Sequence, residues 1–312
     1  MTVTLAQAKR MRFAWASGID TLYKFRSFQG EARQWVAEML LESKVYFSHP
    51  DEFNDPFDIA PVVRHGGNPK DPAYLKELQD DQTRHYLQRG FSAAEIADLR
   101  QSTGVSAEAL PEAGTRDMRQ QIRNTARILC LSATQLDPLQ WAHYANGHQG
   151  VCIHFRCDRR TWLEGARSVR YRVRRPAIML PMSRQSSMEM AHRIALTKAN
   201  FWRYENEYRA FASRDPRSEI TLTGSYFHFA PSDIRGITIG MSMKAADRSA
   251  LSEILNQRRQ AIPIWECVED RNRYAVKLRK ADWSNHIALN ERAAVAFHVS
   301  TDSRAHNRQA FC

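Results

Sequence analysis

Residues 201–211, FWRYENEYRAF, place two carboxylates and an arginine in a run otherwise dominated by aromatic rings. At the two-residue period of a strand, Glu205, Glu207, Arg209 and Phe211 fall on one face and Tyr204, Asn206, Tyr208 and Ala210 on the other. Charge set between rings in this way serves one of two ends. One is a cross-strand ion-pair ladder, worth about a kcal/mol or less. The other is the floor of a site where a fixed carboxylate does chemistry.

Other blocks carry polar groups in fixed settings. In HPDEFNDPFD (49–58), Pro56 restricts Asp55 to extended geometry, and Asn54 and Asp55 either satisfy local backbone groups or are presented to a site by a rigid loop. Phe53 and Phe57 are expected to pin that loop to the core, with Phe57 buried. In DPLQWAHYANGHQ (137–149), Leu139, Trp141, Ala142 and Tyr144 make a helix apolar nearly all round, which predicts burial and a His143 that sits among rings. His143 and His148 are five apart and share no helix face, and none of the five cysteines forms a CxxC pair, so no metal is expected. RSVRYRVRRP (167–176) sets arginines 167, 170, 172, 174 and 175 in alternation with Val169, Tyr171 and Val173, as a strand with one charged face. That pattern is a solvated edge, or a surface where Tyr171 and Trp162 stack bases while arginines hold phosphates.

Several elements position these groups. LYKFRSF, KVYFS (44–48), ILCLSA (128–133) and GVCIHF (150–155) read as strands, EARQWVAEMLLESK (31–44) as a helix, and 70–127 as a helical lobe. A helix over 187–201 leads into the charged stretch, and IRGITIG (234–240), a helix over 244–258, IPIWECV (262–268) and RYAVKL (273–278) complete a strand-rich second half. There is no regular βαβ rhythm and no glycine-rich nucleotide loop. This predicts an α+β fold with a mixed, mainly antiparallel central sheet and a helical insertion, one domain over 1–285 and a polar tail at 286–312.

The 312 residues are 43% hydrophobic and carry a net charge of +11, a balance that suits an anionic partner. No apolar run reaches the roughly 18–20 residues of a membrane span, and the N-terminus is a poor signal peptide. An odd cysteine count without paired spacing fits a reducing compartment. The expectation is a cytoplasmic protein, or one delivered into another cell without a classical signal peptide, with no membrane association.

Four blocks, LYKFRSF, VYFSHPDEFNDPFD, LCLSATQLDPLQWAHYANGHQGVCIHF and FWRYENEYRAF, resemble in order the signature blocks of an uncharacterised bacterial family catalogued as domain of unknown function 2971. Their order also resembles, remotely, that of the ADP-ribosyltransferase superfamily, whose split sheet presents a basic residue, then an aromatic or serine residue, then a late glutamate. That resemblance implies NAD as substrate. It gives catalytic roles to Glu207, Glu205 and Arg26, and cofactor contacts to Lys24, Tyr46, Ser48, Asn54, Asp55, Trp141, His143, Tyr144 and Arg209. It further implies transfer of ADP-ribose to an unknown macromolecule, protein or nucleic acid, or NAD hydrolysis, in a toxin, effector or phage-defence setting. The competing expectation is a nucleic-acid-binding or nucleic-acid-processing defence module that uses the arginine-rich strand at 167–175.

Overall fold

The computed structural model describes residues 4–103, 106–182, 187–212 and 220–281. The polar tail expected at 286–312 lies outside them. The helices are α1 (Leu5–Arg10), α2 (Ala32–Leu41), α3 (Pro72–Gln88), α4 (Ala93–Thr103), α5 (Leu110–Thr125), α6 (Pro138–Tyr144), α7 (Ser187–Ala195) and α8 (Ala245–Asn256). The first seven strands are β1 (Thr21–Arg26), β2 (Lys44–Tyr46), β3 (Val62–His65), β4 (Arg127–Ser132), β5 (Val151–Arg156), β6 (Arg167–Ser168) and β7 (Arg170–Arg172). The remainder are β8 (Ala177–Leu180), β9 (Thr197–Ala199), β10 (Glu207–Ala212), β11 (Tyr226–His228), β12 (Ile234–Ile239), β13 (Ile264–Glu269) and β14 (Val276–Lys280). The fold is α+β, with mixed and mainly antiparallel strand pairing.

The chain resolves into two compact units, each assembled from separated segments. The first takes residues 1–17, 46–130 and 165–225; the second takes 18–45, 131–164 and 226–312. In the second, β5 is flanked by β1 and β12, both antiparallel to it, and β13 joins β12 in parallel before β14 closes the edge. Val151, Cys152, Ile153 and Phe155, which alternate between the faces of the central strand β5, are all buried, so both faces are covered and its sequence is a continuous apolar run. Gly150 precedes it because a side chain there would collide with the carbonyl oxygen of Arg26. Helix α6 lies on β1, with Trp141 edge-on to Phe25 at 5.0 Å.

In the first unit β3 pairs with β8 and β7 with β9, both in parallel, while β6 is antiparallel to β10. Helix α5 packs on β3, and Ile59, Val63, Ile128, Ile178 and Ile194 form the core, with Phe53, Met118 and Ile122 against them. Helices α3, α4 and α5 occupy most of the 70–127 stretch.

Three local readings are corrected. Residues 204–211 are not one strand: Asn200–Glu205 is a 3₁₀ turn, Asn206 is left-handed at φ 43° and ψ 50°, and β10 begins at Glu207. The arginine-rich run is broken at the buried Val169 into β6 and β7. The helix over 187–201 stops at Ala195, because 197–199 is drawn into pairing with β7.

Candidate functional site

Five charged side chains of the first unit meet inside its core. Asp58 ends the loop after β2, Lys198 sits on β9, Glu205 closes the 3₁₀ turn, and Glu207 and Arg209 lie two apart on β10. Arg209 is 0% exposed and Glu207 3%. The Arg209 guanidinium donates to Asp58 Oδ2 at 2.6 Å, to Glu207 Oε1 at 2.7 Å and Oε2 at 3.1 Å, and to the Ala195 carbonyl at 2.8 Å. Lys198 Nζ donates to Glu205 Oε2 at 2.5 Å and Glu207 Oε2 at 3.1 Å, and lies 3.6 Å from Asp58 Oδ2. The left-handed turn at Asn206 lets Glu205 and Glu207 converge on one ammonium although only Glu207 is on the strand. The ring of Phe53 faces Arg209 at 5.7 Å and that of Trp202 faces Lys198 at 5.1 Å, contacts that favour a cation over a ring face. Tyr171 turns inward, and its hydroxyl accepts the Glu207 N–H at 2.8 Å.

Burial by itself raises a carboxyl pKa and lowers that of a cation. Here it is outweighed: Arg209 and Lys198 hold the Glu207 carboxyl well below the usual range, and the three carboxylates hold Lys198 above its own. The cluster sets three carboxylates against two cations. Such a cluster is stable only while every member is paired.

One carboxylate oxygen is left over. Among the described residues Asp58 Oδ1 is buried without a hydrogen-bond partner, as is Asp55 Oδ2, and both residues line a cavity of about 220 Å³ with Pro50, Asp51, Phe53, Asn54, Ile59, Arg119 and Arg123. Asp55 Oδ1 accepts the Phe57 N–H at 2.9 Å, the Asx-type turn that the sequence of this loop predicts. Arg119 Nε also lacks a partner, whereas Arg123 pairs with Asp51 at 3.0 Å. Ile59, which lines the same cavity, is held at φ 49°. A β-branched residue there is strained, and strain of this kind gathers where a loop is shaped for binding. Phe57 does not pin the loop: it is 59% exposed, with the Arg175 guanidinium 5.8 Å from its ring.

The structure thus brings together Glu205, Glu207 and Arg209, and places Asn54 and Asp55 at a cavity that touches their network through Asp58. Lys198, Asp58, Arg119 and Arg123 escaped the sequence reading. Two anions and one cation in YENEYR leave a charge to be balanced, and the lone lysine in LTKANFW was the signal for it. Tyr46 donates to Glu52 at 2.6 Å, burial and then that carboxylate pushing its phenol up to about 12, and Ser48 bridges by its backbone to Ile128. Lys24, Arg26, Trp141, His143 and Tyr144 belong to the second unit. There Trp141 is fully buried and its indole N–H donates to the Gln135 carbonyl at 2.8 Å. His143 and Leu139 are exposed, so α6 buries only one side, and His143 is no core histidine. Among the described residues no group of three or more His, Cys, Asp and Glu is placed to hold a metal ion, and no helix is long and apolar enough to cross a membrane.

No curated protein and no solved structure matches the chain. Residues 140–210, which carry Lys198, Glu205, Glu207 and Arg209 but not the 50–60 loop, are similar to the family described as Protein of unknown function (DUF2971).

Proposed function

We propose that the chain cleaves the bond between nicotinamide and ribose in NAD, passing ADP-ribose to a macromolecular acceptor or to water, and that the 50–60 cavity holds the reacting ribose and a neighbouring phosphate. The observation that carries this reading is that Asp55 and Asp58, each with a buried carboxylate oxygen that has no hydrogen-bond partner among the described residues, line one cavity with Arg119. At about 220 Å³ the cavity falls below the roughly 300–1,000 Å³ of sites that enclose drug-sized ligands. It suits one ribose phosphate, with the remainder of a dinucleotide lying outside.

In this reading Asp58 faces C1′. As the C1′–N bond breaks, its electron pair leaves with nicotinamide and the ribose becomes oxocarbenium-like. The fixed negative charge of Asp58 stabilises that cation. Asp55 accepts a ribose hydroxyl or the proton released by the attacking acceptor, and Arg119 and Arg123 take phosphate oxygens. Glu207 is a positioning residue: it holds Arg209, which together with Lys198 holds Asp58 Oδ2. The superfamily resemblance supports the same chemistry, with Asp58 in the role it assigns to Glu207.

The test is nicotinamide release by purified protein, with and without cell lysate as a source of acceptor. Asp55→Asn preserves the oxygen that accepts the Phe57 N–H and should leave thermal stability unchanged while lowering turnover about a hundredfold. Arg119→Ala should weaken NAD binding itself. Wild type that neither binds NAD nor releases nicotinamide under either condition overturns the proposal.

A further inference from the structure

On β7 the side chains alternate, and Tyr171 is committed inward to the Glu207 N–H. Arg170 and Arg172 therefore point outward together, and both are exposed, as is Arg174 beyond them. No ion pair or hydrogen bond among the described residues engages any of these three side chains. Arg12 stands close by, tied to Ser168 Oγ at 2.7 Å and to the Val169 carbonyl at 3.3 Å. Burial, then the charges of Arg170 and Arg172, hold the Arg12 guanidinium below its ordinary range. The fold thus keeps like charges together with no ion pair among the described residues to offset them.

Apolar surface borders the same strand. Val173 is 91% exposed. The Asn200–Glu205 turn packs beside β7, and β7 pairs with β9 so that Arg172 is opposite Ala199. Two residues on, Phe201 is 74% exposed. The rings expected to stack bases are not the ones available. Tyr171 is turned inward, and Trp162 is packed with Phe155, Phe227 and Phe229. Phe201 is the exposed ring beside the arginines.

We propose that Arg170, Arg172 and Arg174, with Phe201 beside them, form a binding face for single-stranded nucleic acid, the arginines taking phosphates and the ring a base. Guanidiniums two apart on a strand are about 6.6 Å apart along it, a spacing that follows an extended backbone. An exposed ring is useful only to a base that is not already stacked in a duplex. Two isolated apolar side chains are too little for membrane insertion, which needs a continuous apolar face. This face shares no residue with the cavity, so the proposal stands independently of the NAD reading.

The experiment is fluorescence anisotropy of the intact protein with a labelled oligouridine of about 20 nucleotides across about 50–200 mM salt. Binding should weaken with salt at a log–log slope of about −2, three phosphate contacts at about 0.7 each. The triple variant Arg170→Gln, Arg172→Gln, Arg174→Gln should bind at least about tenfold more weakly with the slope largely lost. Phe201→Ala should lose about tenfold with the slope unchanged. All four side chains are exposed, so melting temperatures should not move, and a duplex of the same length should bind more weakly. The proposal is overturned if the oligonucleotide does not bind, or if either variant binds as wild type does. It also falls if polyglutamate competes as well as unlabelled oligouridine, or if phosphatidylserine vesicles bind and the oligonucleotide does not.

Discussion

Arg209 carries a full charge with no exposed surface, so its energy is decided by the carboxylates around it. Arg209→Met leaves three buried anions facing Lys198 and should cost about 3–5 kcal/mol in urea denaturation. Arg209→Lys should recover little, because an ammonium cannot reproduce the fork that grips Glu207 and Asp58. Removing an anion with the cation, as in Arg209→Met with Glu207→Gln, should cost less than the two single losses added together. The acid limb of stability belongs to the same cluster. Glu207 has a folded-state pKa depressed below its unfolded value of about 4.3. Its contribution is complete above that pH and is lost as pH falls through the folded pKa. A second pH dependence belongs to the second unit. His154, bonded through Nε2 to Thr238 Oγ1 at 2.8 Å, is pushed down to about 4 by burial. The unfolded histidine binds its proton near pH 6.5, so stability is full above that value and should fall by about 3 kcal/mol as pH drops toward 4. His154→Gln should flatten that window in denaturant midpoints measured across it. At this scale the charged stretch itself was legible, since carboxylates among rings announce a buried network. Asp58 was not, because its partner Arg209 lies 151 positions away in sequence.

Among the elements, β10 depends on one backbone angle. Asn206 tolerates φ 43° because its short polar side chain fits the left-handed region. Asn206→Gly should therefore be nearly silent, while Asn206→Val should cost about 1–3 kcal/mol and disturb the convergence of Glu205 and Glu207 on Lys198. Thermal melts of the two variants check this. Helix α6 is fixed by chemistry that its sequence displays: Asp137 accepts from the Leu139 and Gln140 N–H groups at 2.8 and 3.2 Å, with Pro138 at the first position. Asp137→Ala should cost about 1 kcal/mol. Caps, turn prolines and apolar runs are local signals, which is why α6, β4, β5 and β12 could be placed from sequence. The end of α7, the break between β6 and β7 and the start of β10 could not. Each is set by pairing between segments 27–42 residues apart, where tertiary contacts override local propensity.

At the scale of the whole molecule, the two units interleave along the chain, which passes from one to the other after residues 17, 45, 130, 164 and 225. No single cut separates them. Fragments 1–130 and 131–312 should each lack a complete core and show neither a cooperative thermal transition nor dispersed amide resonances when expressed alone. A cooperative melt from either fragment would contradict the division. The net charge of +11 favours anionic partners for any surface of the protein. The variants at Arg170, Arg172, Arg174 and Phe201 are what separate a defined face from diffuse attraction.

The same interleaving has a consequence during synthesis. The first unit is completed only when residues 165–225 have been made, although its core residues Ile59, Val63 and Ile128 are translated well before. At about 5–20 residues per second, the ribosome takes about 5–20 seconds to travel from residue 130 to residue 225. Throughout that interval a half-built apolar core waits for Ile178 and Ile194, and the buried acid Asp58 waits for Arg209. Nascent chains should therefore associate with holdase chaperones most strongly when stalled between these points. Lowering the rate of initiation, which spaces ribosomes apart, should raise the soluble yield more than adding a stabilising ligand after release.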